Sequence, residues 1–95
     1  MARKVTTQTI NAFINGNKMQ VGNSMTDGTA YYLHCNKIAE RREDGIYITN
    51  AGWQTNTTKE RLNGIPGVSI CQRDWTWYLN GKEWGGEWIR VADVI

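Results

Sequence analysis

The sequence has few of the residues from which metal centres and covalent cross-links are built. Its 95 residues include two cysteines, one histidine and one proline. Cys35 and Cys71 lie far apart, and neither belongs to a CxxC motif. A structural zinc site needs four Cys or His ligands at short paired spacings, so the sequence predicts neither a metal nor another cofactor. We expect two reduced thiols, with a disulfide between them as the alternative.

Long apolar runs and a large net charge are also missing. No segment approaches the roughly 20 apolar residues of a membrane helix, and residues 1–9 contain no apolar stretch of the secretory kind. The formal net charge is +2, far from the strongly positive field of a protein that binds duplex DNA through many phosphates. We therefore expect a cytoplasmic protein without membrane contact, folded as a single domain over residues 1–95.

Catalytic motifs are absent from the sequence as well. His34 and Cys35 are neighbours on a predicted strand, where successive side chains point to opposite faces and do not meet. The acidic residues of segment 40–44 alternate with Arg41 and Arg42, which is typical of a solvated hairpin tip rather than an acid–base site. No glycine-rich loop matches a phosphate-binding fingerprint. The sequence therefore predicts a protein that is not an enzyme.

Tryptophan is abundant instead, and the clearest local signal lies among the five tryptophans of the chain. Asn80-Gly81 is the preferred dipeptide of a type I′ hairpin turn, in which both central residues have positive φ. A turn at this position pairs Trp77 with Trp84 and puts Trp75 on the same face. We expect these three tryptophans to pack in the core.

A second hairpin is predicted over residues 5–21, around the dipeptide Asn15-Gly16. This register leaves Phe13 on the outer face beside Lys18. The apolar residues that it collects on the inner face are Ile10, Ala12, Ile14, Met19 and Val21.

Short segments with strand-like alternation fill most of the remaining sequence, separated by turn residues. They are residues 30–35, 38–42, 46–49 and 68–71, followed by residues 87–95 as a last strand or a docked tail. Asn36-Lys37 reads as the turn between the first two segments. Asp44-Gly45 reverses the chain before the third, and its register stays open because a two-residue loop and a longer loop give opposite faces.

Helix-forming chemistry occurs once, at about residues 57–63. Thr57 and Glu60 match a capping box, Gly64 suits the position after a helix, and Pro66 blocks its continuation. The fold class that we predict is mainly β, a small antiparallel sheet or a partly open barrel of hairpins carrying this one short helix.

An aromatic-rich sheet with scattered cations suits single-stranded nucleic acid, because bases stack on aromatic rings while Lys and Arg contact phosphates. The aromatic candidates are Tyr31, Tyr47 and Tyr78. The basic candidates around them are Arg41, Arg42, Lys59, Arg61 and Arg73. The alternative interpretation is that the aromatic residues mostly build the core.

The loop from Asn50 to Thr58 is the second candidate site. Asn50, Trp53 and Thr55 lie in a stretch rich in Asn and Thr that leads into the capped helix, where it could hold an anion or the edge of a base. Alternatively these side chains only complete turns and the helix cap. Trp53 and Trp88 fall in less regular stretches, and the pattern leaves open whether they are exposed.

Several segments together resemble a family of small proteins encoded by tailed bacteriophages. The similarity runs from about the first predicted hairpin to Trp84. The segments that carry it are YLHCNKIA at 32–39, ITNAGW at 48–53, TTKERLN at 57–63, PGVSI at 66–70 and WYLNG at 77–81. The resemblance implies the cytoplasm of an infected bacterium as the place of action, and it implies no particular site.

Composition, pattern and resemblance together favour a non-enzymatic binding protein. The first hypothesis is single-stranded nucleic-acid binding by an aromatic and basic face. The alternative is inhibition of a host defence or transcription protein by direct contact. An unpaired edge strand would also allow a homodimer.

Overall fold

Two antiparallel sheets and two α-helices make up residues 4–94, the part of the chain that the computed structural model describes. Met1–Arg3 and Ile95 lie outside the described residues, and so do the parts of the predicted N-terminal and C-terminal segments that fall on them. In chain order the elements are α1 Lys4–Ile14, β1 Met19–Val21, β2 Ser24–Thr26, β3 Ala30–Leu33, β4 Asn36–Arg42, β5 Gly45–Ile48, α2 Asn56–Leu62, β6 Ile70–Arg73, β7 Thr76–Leu79, β8 Lys82–Glu83, β9 Ile89–Arg90 and a 3₁₀ helix at Val91–Asp93.

The larger sheet has six strands in the order β1-β2-β3-β4-β5-β9, and the smaller has three in the order β6-β7-β8. All neighbouring strands in both sheets are antiparallel. The six-stranded sheet is open, with β1 and β9 as its edges. The mainly-β prediction is confirmed, in its open-sheet form.

The predicted first hairpin is wrong, because residues 4–14 form the helix α1. Its buried face follows the helical spacing i, i+3, i+4, i+7 of Thr6, Thr9, Ile10 and Phe13. Threonines occupy two of these four positions, and β-branched residues favour strands. The sequence pattern therefore does not show an apolar helical face. Phe13, predicted to face outward, is 0% exposed.

Asn15-Gly16 ends α1 instead of turning a hairpin. Gly16 has φ 75°, and its N–H donates to the Phe13 carbonyl at 3.2 Å while the Asn17 N–H reaches the Ala12 carbonyl at 2.7 Å. These two bonds form a Schellman motif with glycine at the left-handed position after the helix. An Asn-Gly pair serves either purpose, and only the preceding segment decides which.

The core lies between the inner face of the six-stranded sheet, the two helices and the smaller sheet. Phe13 of α1 meets Tyr31 of β3 edge-on, with ring centroids 6.2 Å apart. The Tyr31 hydroxyl lies 2.7 Å from the Thr9 hydroxyl, so both polar atoms are paired inside the core. Tyr31 is 0% exposed and is therefore excluded as a nucleic-acid contact.

The registers of the paired strands correct the position of one predicted turn and settle that of another. Leu33 pairs with Asn36, so the β3–β4 turn is His34-Cys35 and not Asn36-Lys37. Arg42 pairs with Gly45, which resolves the open register as a two-residue turn at positions 43–44. Both His34 and Cys35 have positive φ, at 50° and 66°, although neither is glycine.

The predicted short helix is present as α2, but its cap is Thr55 rather than Thr57. The Thr55 hydroxyl accepts the Thr58 N–H at 3.2 Å. Glu60 does not reach back to the helix start as the capping box required, because its carboxylate contacts Thr6 and Arg61. The sequence fits both caps, and the tertiary contact of Glu60 selects the earlier one.

The Asn80-Gly81 hairpin is confirmed, with φ of 50° and 89° and with Leu79 paired to Lys82. Trp77 and Trp84 are buried as predicted, with ring centroids 6.2 Å apart. Trp75, the third member of that predicted core group, is 88% exposed, so its placement was wrong. It lies in the β6–β7 turn and not on strand β7, so strand alternation does not apply to it.

The end of the chain returns to the larger sheet. β9 pairs with β5 through Ile89 and Ile48, and the 3₁₀ helix follows it. Cys35 and Cys71 are both free and exposed.

Candidate functional site

The loop that follows β5 is fixed at its start by Asn50, which is 6% exposed. Its backbone N–H donates to the Gly86 carbonyl at 3.0 Å, and its Oδ1 accepts the Gly52 N–H at 2.8 Å. A Cβ built on Gly86 would lie 2.1 Å from Asn50 Nδ2, so glycine is required there. Asn50 therefore shapes the loop and does not present its amide to a ligand.

Trp53 stands out of this loop, with 56% of its surface exposed. The backbone before it turns through Ala51 and Gly52, at φ of 55° and 83°, and the Trp53 N–H closes the turn on the Asn50 carbonyl at 2.8 Å. Two residues later Thr55 begins α2. The turn and the helix cap hold both ends of this short segment, so Trp53 is displayed from a fixed backbone.

A groove of about 490 Å³ opens between this loop, the start of α2 and the β3–β4 turn. That volume is within the range of about 300–1,000 Å³ of small-molecule sites. The residues that line the groove are Leu33, His34, Asn36, Ile38, Trp53, Thr55, Thr57 and Thr58. The sequence-predicted members of the lining are Trp53 and Thr55.

The groove is mostly apolar but carries open hydrogen-bonding groups. Leu33 and Ile38 belong to the buried core and supply aliphatic surface, and Trp53 adds an aromatic ring. Within residues 4–94, the His34 imidazole and the Thr57 hydroxyl have no hydrogen-bond partner. Of the residues that the structure describes, no Lys, Arg, Asp or Glu lines the groove. It is therefore suited to an uncharged group with polar edges.

A second exposed tryptophan lies on the neighbouring β6–β7 turn. Asp74 and Trp75 are the two central residues of that turn, with φ of 51° and 68°. Gln54 donates its Nε2–H to the Trp75 carbonyl at 3.0 Å and so links this turn to the Trp53 loop. We call Trp53, Gln54 and Trp75 the tryptophan edge.

The outer face of the six-stranded sheet carries a different aromatic cluster. The Arg42 guanidinium carbon lies 4.1 Å from the Tyr47 ring centroid and 5.2 Å from that of Trp88. Arg42 Nε also donates to a Glu40 carboxylate oxygen at 2.7 Å. Tyr47 and Arg42 are thus brought together as the nucleic-acid hypothesis required, although the cation already has an acidic partner.

Ionisable groups on this face balance one another. Hydrogen bonds from Arg42 and Lys37 lower the pKa of the Glu40 carboxyl. The Tyr47 hydroxyl donates to the Asp44 carboxylate at 2.8 Å, which raises the pKa of Tyr47. Arg90 pairs with Asp93 at 2.6 Å and with Asp44 at 3.4 Å. The outer face therefore has mixed charge rather than a strong positive field.

A protein-family model matches residues 2–93 of the chain, under the description Kyanoviridae Gp96 protein. The match covers nearly the whole sequence. The chain belongs to this family of tailed-phage proteins. The same comparisons found no match among curated proteins and none among solved structures. Membership confirms the resemblance to small tailed-phage proteins, and the family description states no activity.

Two cations proposed for this phage protein's nucleic-acid site have structural roles instead. Arg41 donates to the Phe13 and Ile14 carbonyls at 2.7 and 2.9 Å, and so caps the C-terminus of α1. Arg61 is 6% exposed and donates to the Ser24 and Thr6 hydroxyls, both at 2.8 Å. Phosphate contact by either residue would require these bonds to break.

The remaining predicted residues are dispersed. Lys59 lies on α2 and is partly exposed. Arg73 is exposed on β6, with its guanidinium carbon 5.7 Å from the Tyr78 ring centroid. These residues belong to the smaller sheet and the helix, while Arg42 and Tyr47 belong to the larger sheet. No single surface unites the predicted nucleic-acid set.

Residues 4–94 contain neither a group of side chains that would hold a metal ion nor a helix that would span a membrane. Within that range no three His, Cys, Asp or Glu side chains come together in a way that would hold a metal ion. Neither described helix has the length and apolar content that crossing a bilayer demands.

Three residues of the candidate surfaces were missed or left open. The sequence pattern singles out His34 only as a candidate catalyst, places Trp75 in the core, and leaves open the exposure of Trp88, which is 40% exposed. One signal could have located Trp75. The apolar positions of β7 are Trp77 and Leu79, and the polar pair Arg73-Asp74 before Trp75 marks a turn.

Proposed function

We propose that this phage protein acts without catalysis, by docking on a host protein through the tryptophan edge in the cytoplasm of the infected bacterium. The edge displays two large apolar rings from neighbouring loops, 56% and 88% exposed. Exposed tryptophans of this kind are typical of the residues that dominate protein–protein binding energy. The class of partner that we propose is a host defence or transcription protein.

The backbone of Trp75 is the observation that carries the proposal. A bulky residue at φ 68° is uncommon, because the left-handed region costs a non-glycine residue about 1–2 kcal/mol. Burial does not compensate for this cost, since Trp75 is almost fully exposed. Strained residues that the fold does not need are concentrated at functional sites.

The proposal is tested by capturing partners from a host lysate with the wild-type protein and with Trp75→Gly. We expect one stoichiometric host protein, bound at least about 30-fold more weakly by the variant, which corresponds to a hot-spot loss of about 2 kcal/mol. Trp88→Ala is the matched control, because it removes an exposed tryptophan that lies beside Arg42 and outside the tryptophan edge, and it should leave capture intact.

A bait that retains no partner, or a partner that both variants bind equally, would contradict docking at this edge. Because Gly suits a positive φ, Trp75→Gly is not expected to unfold the protein. Loss of capture would therefore report the missing ring rather than a damaged fold.

A second candidate function is single-stranded nucleic-acid binding by the outer sheet face. Its supporting observation is the Arg42 guanidinium, which lies over the rings of Tyr47 and Trp88. Register places Tyr32, Lys37 and Arg90 on the same face, since Tyr32 pairs with Lys37 and Tyr47 pairs with Arg90. Aromatic rings interleaved with cations are the usual platform for unpaired bases.

Oligonucleotide binding as a function of salt tests this second candidate. We expect affinity to fall steeply with salt, and Arg42→Ala to reduce the slope of log K against log salt by about 0.7. Arg73→Ala is the control, because it removes an exposed cation from the other sheet. An absence of binding at low salt would rule the candidate out.

A further inference from the structure

We infer that the groove beside Trp53 binds an uncharged planar heterocycle of the nucleobase type. This inference does not depend on docking at Trp75. It follows from three properties of the lining, which are its missing charges, its aromatic ring and the positions of its open polar groups.

The described lining has no charged Lys, Arg, Asp or Glu side chain, and this limits the kind of ligand that the groove can bind. Among residues 4–94, His34 is the one titratable residue that lines the groove, and no Lys or Arg of this range is present there to neutralise a phosphate or carboxylate. An isolated charge taken into a mostly apolar groove would lose hydration without gaining a partner. The group that enters is therefore neutral.

The combination of apolar and polar groups in the lining limits the choice of ligand further. Leu33, Ile38 and the Trp53 ring provide apolar contact, which would suit any hydrophobic side chain. The groove also offers the His34 ring, the Thr57 hydroxyl and the Asn36 amide. Asn36 Nδ2 is bonded to the His34 carbonyl at 3.3 Å, which leaves its Oδ1 open as an acceptor.

A ligand without polar edges would leave these donors and acceptors desolvated and unpaired, at a cost for each group. A nucleobase has apolar faces that stack on tryptophan and an edge with both donors and acceptors. A hydroxyl donates and accepts, an imidazole donates through a ring N–H, and the Asn36 Oδ1 accepts. The three groups can therefore satisfy a base edge without selecting one base strictly.

The groove also has a firm frame. Thr55 and Thr58 are committed to the helix cap, through the 3.2 Å bond between backbone and side chain and a 3.0 Å contact between their hydroxyls. Thr57 stands between them with its own hydroxyl free. Since the cap fixes the backbone at Thr57, this residue has a fixed position in the lining of the groove.

Nuclear magnetic resonance of the ¹⁵N-labelled protein tests the inference directly. The probes are adenosine, cytidine and uridine, added to about 10 mM, a range that detects millimolar dissociation constants. We expect a saturable shift of the Trp53 indole N–H signal, while that of the buried Trp77 stays unchanged. Trp53→Leu should weaken nucleoside binding by about tenfold or more through lost stacking.

Toluene is the comparison ligand, because it has an aromatic face but no polar edge. Thr57→Val should weaken nucleoside binding by about fivefold and leave toluene binding unchanged. If the nucleosides cause no shift, or if toluene binds equally well and Thr57→Val affects neither ligand, the groove is not a nucleobase site.

A free nucleoside and a base within a strand share this chemistry, and a tetranucleotide distinguishes them. Binding of both nucleoside and tetranucleotide assigns the groove to an unstacked base of a strand. Binding of the nucleoside alone assigns it to a free nucleoside. Trp75→Gly should retain nucleoside affinity while losing the captured protein, so the groove and the docking edge succeed or fail separately.

Discussion

Two hairpin turns flank strand β7, with similar backbones and opposite kinds of residue. The β7–β8 turn consists of Asn80 and Gly81, at φ of 50° and 89°, and the β6–β7 turn consists of Asp74 and Trp75, at 51° and 68°. The first pair is the one that such a turn prefers, whereas the second places a bulky aromatic residue where glycine is favoured.

The two turns also differ in the hydrogen bonds that link them to the rest of the molecule. Asn80 Oδ1 accepts the Ser69 N–H at 2.8 Å, and its Nδ2 donates to the carbonyls of Gly67 and Val94 at 2.9 and 2.8 Å. The Asp74-Trp75 turn has one tertiary hydrogen bond among residues 4–94, from Gln54. One turn fastens three segments together, and the other displays a side chain. This difference is what the proposed docking role of Trp75 predicts.

Replacing Asn80 should have the largest effect on stability. Asn80→Ala removes three side-chain hydrogen bonds, and alanine tolerates a positive φ less well than asparagine. We therefore expect the free energy of unfolding to fall by about 2–3 kcal/mol. Urea denaturation measures it. Asn80→Gly retains the backbone freedom but loses the same bonds, and it should be less destabilised. Equal stability of wild type and Asn80→Ala would remove the structural role assigned to this turn.

Exchanging the glycine preference between the turns is the next test. Trp75→Gly should stabilise the fold by about 0.5–1 kcal/mol, because strain is relieved and little buried surface is lost. Gly81→Ala should destabilise it by about 1 kcal/mol, because no atom lies near the added Cβ and only the backbone cost remains. Denaturation midpoints of both variants measure the pair. Opposite signs support the contrast, and destabilisation by Trp75→Gly would show that the ring has a structural role.

The same contrast separates what the sequence predicts from what it conceals. Asn80-Gly81 is predictable because the preference of both residues agrees with the final backbone. The presence of α2 is predictable because threonines that can cap a helix precede it and Gly64 and Pro66 follow it, whereas the choice of Thr55 over Thr57 as the cap is not. The Asn50–Thr58 segment, predicted as a candidate site, contributes Trp53, Thr55, Thr57 and Thr58 to the lining of the groove. Local chemistry decides each of these features.

The failures depend on distant partners. Thr6 and Thr9 of α1 look polar in the sequence, but Glu60 and Tyr31 bond them at 2.6 and 2.7 Å from far along the chain. Arg41 looks like a surface cation, yet its partners are carbonyls 27 and 28 residues away. Tertiary contacts of this kind leave no local pattern, so neither the helix nor the structural arginine was predictable.

A third turn sharpens the interpretation of strain. Cys35 has φ 66° in the β3–β4 turn and is exposed. Cys35→Gly should stabilise the protein by about 0.5 kcal/mol, because the left-handed position then holds its preferred residue and no packing is lost. Thermal or urea denaturation under reducing conditions provides the measurement. If Cys35→Gly stabilises the protein and Trp75→Gly does not, contacts of the Trp75 ring compensate for its backbone strain. The positive φ of Trp75 would then not point to a functional role.

The smallest effect concerns the Asp27-Gly28 turn, which Asp27 holds together with the hydroxyl of Thr26 and the guanidinium of Arg41. Asp27 Oδ1 accepts the Thr29 and Ala30 N–H groups, both at 2.8 Å, and these bonds, that of Ala30 first, lower the pKa of the carboxyl below 3.8. A lowered folded-state pKa contributes stability above pH 3.8, which is lost as the pH falls through the folded-state value.

Asp27→Asn isolates this contribution, because its amide oxygen still accepts the two N–H bonds but cannot be protonated in this range. We expect the stability difference between wild type and Asp27→Asn to shrink as the pH is lowered from 5 towards 2, measured by urea denaturation at each pH. Comparison with the variant is necessary because Glu40 and Asp93 also have a lowered pKa and add their own acid dependence. A difference that stays constant with pH would show that the charge of Asp27 adds nothing beyond its oxygen, and the turn would then be held as Asn80 holds its own, by neutral hydrogen bonds.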